Sequence, residues 1–214
     1  MQFFRNEKGY TIVLGMVKAI QENKDLLGEI DGLIGDGDHG MNMNKGFTLY
    51  EKRYGNQTMS FSQCLLSLGG ILLEEIGGSM GPIYGTVFME MGEAAEDKDV
   101  IGLGEFAEIC QQGYIGLKDI IEAEPGDKTL IDTLYPAVQA LKEAVRQEKT
   151  LEEGLKSMQE KAEQGKESTR DLQARYGRSS RLGKRSCGVL DAGAVSCNVL
   201  LQAMAEGILQ ILEE

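Results

Sequence analysis

Apolar residues recur along most of the chain at the three- and four-residue spacing of an α-helix, and no set of segments shows the alternation typical of strands. Ile12, Met16 and Ile20, for example, form one stripe of a first helix. Thr150 with Glu153 three residues later is a capping-box sequence and predicts a helix start. The whole pattern predicts eight helices, over residues 7–31, 41–54, 61–76, 83–95, 103–123, 129–147, 150–174 and 192–212.

The linkers between these helices are short, and short linkers favour antiparallel packing of consecutive helices. No internal repeat, low-complexity tract or change of composition marks a domain boundary. A chain of 214 residues with ordinary apolar content is long enough for one domain with a sizeable core. We therefore expect a single all-α domain over residues 1–214.

The chain is strongly acidic, with a formal net charge of −12. Nucleic acids and anionic membranes bind basic surfaces, so the charge argues against both partners. The sequence shows neither a signal peptide nor an uncharged apolar run of about 18 residues, and we expect a cytoplasmic protein. Its cysteines are widely spaced without a CxxC pair, which disfavours a zinc site and a disulfide framework. They are expected to be reduced thiols of the core: Cys64, Cys110, Cys187 and Cys197.

Glycine is unusually frequent for a helical protein, at 28 residues. The glycines concentrate in four segments between predicted helices: GDGDHG at 35–40, GGSMGPIYG at 77–85, EPGDKT at 124–129 and YGRSSRLGKRSCGVLDAG at 176–193. Each segment taken alone is typical of a helix C-cap or a turn. Four of them at one end of a bundle would instead offer helix N-termini and close backbone approach to a phosphate group. The glycine pattern therefore favours an anionic ligand.

The first of these segments carries carboxylates. Asp31, Asp36 and Asp38 span a helix end and a glycine turn, and three converging carboxylates would repel one another unless a cation neutralised them. Hard oxygen ligands suit Mg²⁺ shared with phosphates. A calcium EF-hand does not fit, because Met41 and Phe47 stand where that loop needs glycine and glutamate. One histidine without paired cysteines disfavours zinc, and no Walker P-loop sequence is present.

His39 is the single histidine of the chain. A lone histidine is most often solvated or hydrogen-bonded without any chemistry. Its place beside the carboxylates in a glycine turn suggests a residue too exposed for core packing, and favours a phosphate or nucleotide contact. A role as general base is less favoured, because the sequence supplies no partner that would orient the ring.

A basic segment, residues 175–185, stands out in the acidic chain. It contains Arg175, Arg178, Arg181, Lys184 and Arg185 among glycines and serines. Such a segment is often a solvated face. Guanidinium groups also bind phosphates through paired hydrogen bonds, and the same charges could receive an acidic partner protein.

Five segments occur in a fixed order over nearly the full chain: GDGDHG with Asn42, GGSMGPIYGT, AEPGDKTLID, GRSSRLGKRS and DAGAVS. In this series the chain closely resembles the L subunit family of dihydroxyacetone kinases, called DhaL. The resemblance implies an all-α, eight-helix antiparallel up-and-down barrel with nucleotide-binding loops at one end, holding ADP or ATP and two Mg²⁺ ions. The implied metal ligands are Asp31, Asp36 and Asp38. The implied nucleotide contacts are His39, Gly40, Met41, Asn42, Ser79, Met80, Thr129, Leu130, Arg178, Asp191, Ala192 and Gly193.

The resemblance also implies a reaction. An L subunit passes a phosphoryl group to a triose held on a separate K subunit, and Arg178 would stabilise the charge of that group. In the phosphotransferase-system form, ADP is a coenzyme that a phosphohistidine donor protein rephosphorylates, and we favour this form. An ATP-dependent kinase for another triose-like or tetrose-like acceptor, a kinase resembling the fatty acid kinases, and a nonenzymatic nucleotide-bound regulator are the alternatives. A homodimer is left open.

Several residues depart from the family pattern. Ile121 stands where relatives commonly have glycine, Met80 where a serine is frequent, and Ala192 where DPGA is the commoner sequence. Arg181 and Lys184 replace the usual tyrosine and glutamate, so the basic segment is more positive than the resemblance implies. These departures leave the acceptor open and do not affect the expected fold or metal site.

Overall fold

The computed structural model describes residues 2–213, in which eight α-helices occupy the segments that the apolar pattern indicates. Consecutive helices contact each other, and the last also contacts the first, so they form a closed antiparallel ring. The predicted all-α up-and-down barrel is confirmed. The helices are α1 (Tyr10–Ile34), α2 (His39–Tyr54), α3 (Phe61–Glu75), α4 (Met80–Ala95), α5 (Leu103–Ile120), α6 (Ile131–Arg146), α7 (Leu151–Ser168) and α8 (Ala192–Glu213).

The helix boundaries differ from the predicted ones mainly at one end of the barrel. Helix α1 continues to Ile34, which places Asp31 in its last turn, and α2 already begins at His39. Helix α7 ends at Ser168, six residues before the predicted end at 174. It stops there because the polar groups of Thr169 bond to other loops. The Thr169 carbonyl accepts a hydrogen bond from the Lys128 ammonium, and the Thr169 hydroxyl accepts one from the Asp191 amide.

Two short strands were not predicted. Strand β1 (Phe3–Arg5) pairs antiparallel with β2 (Val100–Gly102), which lies between α4 and α5. Three-residue strands are too short to show a two-residue period in the sequence. Phe4 is buried and meets the Phe61 ring edge-to-face at a centroid distance of 5.5 Å, so the strand pair covers the end of the barrel where α3 begins.

The core fills the centre of the helical ring. Its fully buried large side chains include Ile12, Ile20, Met43, Phe47 and Phe106. Three cysteines are buried as expected, whereas Cys187 is exposed, so its assignment to the core was wrong. Cys187 follows a 3₁₀ segment (Arg178–Ser186) in the connection between α7 and α8, outside the packed helices. None of the four cysteines is disulfide-bonded.

Helix α8 is long and apolar enough, over Ala192–Leu212, to meet the composition criterion for a membrane span. More than half of that stretch is buried inside the barrel, where α8 packs against α1 and α7. Its apolar character is accounted for by this central position, as for other core helices of a bundle.

Helices α1 and α2 are in close backbone contact at Gly40, next to the loop that joins them. A Cβ atom on Gly40 would lie 2.0 Å from the Lys24 carbonyl oxygen and 2.7 Å from the Gly28 amide nitrogen. Only glycine fits between these backbones. The contact fixes the start of α2 against α1, and with it the acidic loop between them.

Candidate functional site

A cavity of about 750 Å³ opens where the four glycine-rich segments meet. These segments join α1 to α2, α3 to α4, α5 to α6 and α7 to α8, so the N-termini of α2, α4, α6 and α8 all lie at this end of the barrel. Helix N-termini carry unpaired N–H groups and a partial positive charge. The geometry therefore suits an anionic ligand.

The cavity brings together most of the residues singled out in the sequence. Gly40 and Met41 are the exceptions: Gly40 packs against α1, and Met41 is exposed without lining the cavity. The predicted residues that do line it are Asp31, Asp36, Asp38, His39, Asn42, Ser79, Met80, Thr129, Leu130, Arg178, Asp191, Ala192 and Gly193.

Three carboxylates converge at one side of the cavity. Asp31, Asp36 and Asp38 each offer an oxygen, and these oxygens lie within 4.8 Å of one another. Burial and the two neighbouring carboxylates raise the pKa of Asp38, while the Asn42 side chain and Arg178 partly oppose the rise. A set of hard oxygen ligands with mutual repulsion fits divalent cations such as Mg²⁺.

Arg178 joins the basic segment to the acidic loop. Its Nη1 atom lies 2.7 Å from Oδ2 of Asp36, and its side chain is 66% exposed at the cavity. Arg175 pairs instead with Asp127 at 3.2 Å and does not line the cavity. Arg181 and Lys184 are exposed and also lie outside the lining. Of the basic segment's cations, Arg178 alone therefore lines the cavity.

His39 is buried, with 8% of its surface exposed, so the expectation of an exposed residue was wrong. Its Nε2 atom lies 2.8 Å from the Ser196 hydroxyl, which lies 2.6 Å from the Tyr84 hydroxyl. Helix α8 thus supplies the orienting partner that the sequence did not reveal. Burial lowers the pKa of His39 to about 4, although the nearby Asp31 opposes the change. The imidazole is neutral at pH 7 and can exchange hydrogen bonds with a ligand without adding charge.

The opposite wall is built by the loop between α5 and α6. The Asp132 carboxylate accepts hydrogen bonds from the Gly126 amide at 2.6 Å and from the Thr129 amide at 2.8 Å. Lys128, between these two amides, turns its side chain into the interior and is 1% exposed. The Asp132 hydrogen bonds and the buried Lys128 side chain therefore fix the loop segment that contributes Thr129 and Leu130 to the cavity wall.

The start of α8 forms another part of the cavity wall, and Asp191 directly precedes this helix. Its carboxylate accepts a hydrogen bond from the Ala194 amide at 2.8 Å, which caps the helix. Burial raises the pKa of Asp191 to about 7, a change that this hydrogen bond and the Lys128 ammonium oppose. Asp191 is thus a cavity-lining carboxyl whose proton affinity is raised by burial.

Sequence reasoning missed several residues of this site, among them Tyr84 and Lys128, which line the cavity, and Ser196, which contacts Tyr84 and His39. Lys128 lies in EPGDKT, one of the four glycine-rich segments, but the sequence gave no sign that its side chain would be buried. Tyr84 and Ser196 lie on helices at apolar spacing, and their pairing joins residues 112 positions apart. No local pattern could reveal that contact.

Comparison with known proteins agrees with the motif series. A family model described as the DAK2 domain matches residues 33–206. The ADP-binding subunit DhaL of the PEP-dependent dihydroxyacetone kinase of Escherichia coli is 36% identical over 177 residues, covering 82% of this chain and 84% of that subunit. The corresponding subunit of kinase 1 of Listeria innocua is 34% identical over 190 residues, covering 88% and 90%.

Solved structures share the fold. The dihydroxyacetone kinase of C. freundii in its native form superposes with a TM-score of 0.71 at 22% identity, over 92% of this chain. The same kinase in complex with AMP-PNP and Mg²⁺ superposes with a TM-score of 0.69 over 96% of this chain. The chain spans about a third of the length of that kinase. By the family match and the similarity along most of its length, the chain belongs to the DAK2-domain family of dihydroxyacetone kinase subunits, as a DhaL-type member.

Proposed function

We propose that this chain is the nucleotide-binding L subunit of a dihydroxyacetone kinase, which holds ADP or ATP with two Mg²⁺ ions and passes a phosphoryl group to a triose on a separate K subunit. The observation that carries the proposal is the convergence of three carboxylates, an arginine and four helix N-termini on one cavity. That arrangement matches the charge of a metal–nucleotide complex.

Asp31, Asp36 and Asp38 would hold the cations through their carboxylate oxygens. Bound Mg²⁺ supplies neutralisation of phosphate charge and alignment of the phosphates. Asp31 also accepts a hydrogen bond from the His39 amide at 3.3 Å, which ties one metal ligand to the first turn of α2. The N-terminus of that helix, with Asn42 lining the cavity, would face the phosphates.

The base and ribose would occupy the more apolar part of the cavity. Met80, Ile83, Ile121 and Leu130 line it between α4 and α6, where a flat aromatic ring can pack. Asp191 lies close by, as an acceptor or, when protonated, a donor for a ribose hydroxyl or base nitrogen. Ile121 and Met80 are the departures from the family pattern that most directly contact this region.

The transfer step needs positioning and charge neutralisation more than covalent chemistry. The bond between the terminal phosphorus and the leaving oxygen of the nucleotide breaks while a bond from an acceptor hydroxyl oxygen to that phosphorus forms, and the hydroxyl proton would pass to solvent or to a base on the K subunit. Arg178, exposed beside Asp36, would stabilise charge on the transferred group. Neutral His39 would orient a phosphate oxygen through its free ring nitrogen.

Relatives that this chain covers along most of their length support the coenzyme form of the reaction. They are named as ADP-binding subunits of PEP-dependent or PTS-dependent kinases. The erythrulose kinases, in contrast, are matched over about a third of their length. We therefore propose that ADP stays bound and is rephosphorylated by a phosphohistidine protein of the phosphotransferase system in the cytoplasm.

The test of the site compares cation and nucleotide binding. Calorimetry with Mg-ADP is expected to show at least about 100-fold weaker binding for the double variant Asp36→Asn, Asp38→Asn, because the cation loses two charged ligands. Asp25→Asn is the matched control, because Asp25 is an exposed acid of α1 that does not line the cavity. This variant should bind Mg-ADP with the affinity of wild type. Unchanged affinity in the double variant would reject the metal assignment.

The test of the reaction is reconstitution with a K subunit. Phosphorylation of dihydroxyacetone is measured with either ATP or a phosphohistidine donor protein, and erythrulose is the competing acceptor. Retained ADP in native mass spectrometry together with donor-protein dependence supports the coenzyme form. Turnover with ATP alone supports the ATP-dependent alternative, and nucleotide binding without transfer to either acceptor would support a regulator.

A further inference from the structure

Lys128 is a buried lysine that bonds to main-chain oxygens of the connection between α7 and α8. We propose that it is a positioning residue, which fixes the wall of the nucleotide cavity by tying the loop between α5 and α6 to the connection between α7 and α8. This inference rests on the proposed nucleotide-binding function and adds to it a residue outside the predicted contacts.

The burial of Lys128 requires an explanation. Its side chain is 1% exposed, and within residues 2–213 no carboxylate lies within ion-pair distance of its ammonium. The ammonium instead donates hydrogen bonds to the carbonyl oxygens of Thr169 and Val189. A buried lysine is costly to desolvate, and burial lowers its pKa. An apolar side chain would fill the same space without that cost, so the two hydrogen bonds are the feature that distinguishes lysine here.

The backbone of Lys128 is also in an unfavourable conformation. Its φ angle is +61°, in the left-handed region that non-glycine residues rarely adopt because it is sterically unfavourable. Asp132 holds the amides on both sides of it, those of Gly126 and Thr129. The surrounding loop thus imposes a strained backbone that directs the Lys128 ammonium to the connection between α7 and α8, while Lys128, Thr129 and Leu130 together form this part of the cavity lining.

The two carbonyls that Lys128 binds lie next to Asp191. Val189 is two residues before it, and the Thr169 hydroxyl accepts a hydrogen bond from the Asp191 amide at 3.1 Å. Asp191 in turn caps α8, and the carbonyl of Gly193 lies 3.1 Å from the Tyr84 hydroxyl.

This network predicts a specific defect. Without the ammonium, the hydrogen bonds that join the loop at 124–130 to the segment at 188–193 are lost. Part of the nucleotide binding energy must then be used to order these two segments. The nucleotide affinity should therefore fall. The three carboxylates between α1 and α2 have no direct bond to Lys128, so cation binding alone should not change.

The experiment uses the full chain with Lys128→Met, a side chain of similar length without hydrogen-bond donors. Calorimetry with Mg-ADP should show a dissociation constant raised at least about tenfold at unchanged stoichiometry. Binding of Mn²⁺ alone, followed by electron paramagnetic resonance, should stay within about twofold of wild type. Lys149→Met, which removes an exposed lysine after α6, is the charge control and should leave both affinities unchanged.

The outcomes separate positioning from general stability. A variant that is merely less folded would bind fewer nucleotides per chain with the wild-type dissociation constant, and that result would overturn the proposal. If Lys128→Met does not fold, Lys128→Gln decides, because its shorter neutral side chain cannot reach both the Thr169 and the Val189 carbonyl oxygens: weaker nucleotide binding supports the proposal, and unchanged binding rejects it. Failure of the wild type to bind Mg-ADP would instead reject the proposed function.

Discussion

Replacing Gly40 with alanine tests how the start of α2 is held against α1. The added Cβ would lie 2.0 Å from the Lys24 carbonyl oxygen, whereas real Cβ contacts stay above 3.0 Å, so the helices must separate by about 1 Å. Both nearest residues, Lys24 and Gly28, meet it with backbone atoms, so no side-chain rotation can relieve the clash. Overpacking of this kind costs about 1–3 kcal/mol, and we expect a loss near the upper end.

The separation should also reach the metal ligands, because Asp38 and His39 directly precede Gly40. We expect Gly40→Ala to lower the thermal midpoint by about 6–12 °C, as about 3 kcal/mol does in a domain of this size. Cation affinity, measured with Mn²⁺, should fall about tenfold because a shift of about 1 Å misplaces a ligand.

Gly15→Ala is the matched control for this prediction. Gly15 lies inside α1, and a Cβ there meets no atom within 4 Å. Alanine should stabilise the protein by about 0.5–1 kcal/mol through helix propensity and leave cation affinity unchanged. If Gly40→Ala matched wild type in both midpoint and cation affinity, the reasoning from the close approach of the two helices would be refuted.

Three further predictions concern the interior of the site and one exposed thiol. The pKa of Asp191 rises from 3.8 to about 7 on folding, so its contribution to the free energy of unfolding falls as pH rises from about 4 to about 7; Asp191→Asn lacks this contribution, so the free energy of unfolding of wild type minus that of the variant, measured in urea titrations, should fall over the same range. Tyr84→Phe removes the hydroxyl that contacts Ser196 and the Gly193 carbonyl, and should cost about 1 kcal/mol in the same titrations. A disulfide reagent such as Ellman's should label one thiol quickly in the native protein, and Cys187→Ser should abolish that fast phase, because the other three cysteines are buried.

The helices were predictable because their signals are local. A stripe such as Ile12, Met16 and Ile20 repeats at helical spacing, and Ser60 and Thr150 form capping boxes that the structure contains. The strands were not predictable, because three residues are too few to show a two-residue period. The early end of α7 was not predictable either, because it depends on hydrogen bonds that Thr169 accepts from two distant residues, Lys128 and Asp191.

The site shows the same division. Asp31, Asp36 and Asp38 lie within eight residues of sequence, so their convergence could be inferred from spacing and repulsion. The burial of His39 could not, because it depends on Ser196 in the last helix. Lys128 was equally hidden, since a lysine in a glycine-rich loop is normally solvated and only the left-handed backbone turns this one inward.

The order of helices around the ring has a consequence for how this domain can be joined to others. Every loop of the site connects an odd-numbered helix to the next even-numbered one, so β1 and the last turns of α8 lie at the opposite end of the barrel. Additional polypeptide linked there would leave the mouth of the cavity open. The barrel can therefore occur alone or within a longer chain: it corresponds to most of the E. coli subunit and to about a third of the C. freundii kinase. A second domain attached at that end would require no change in the loops of the site.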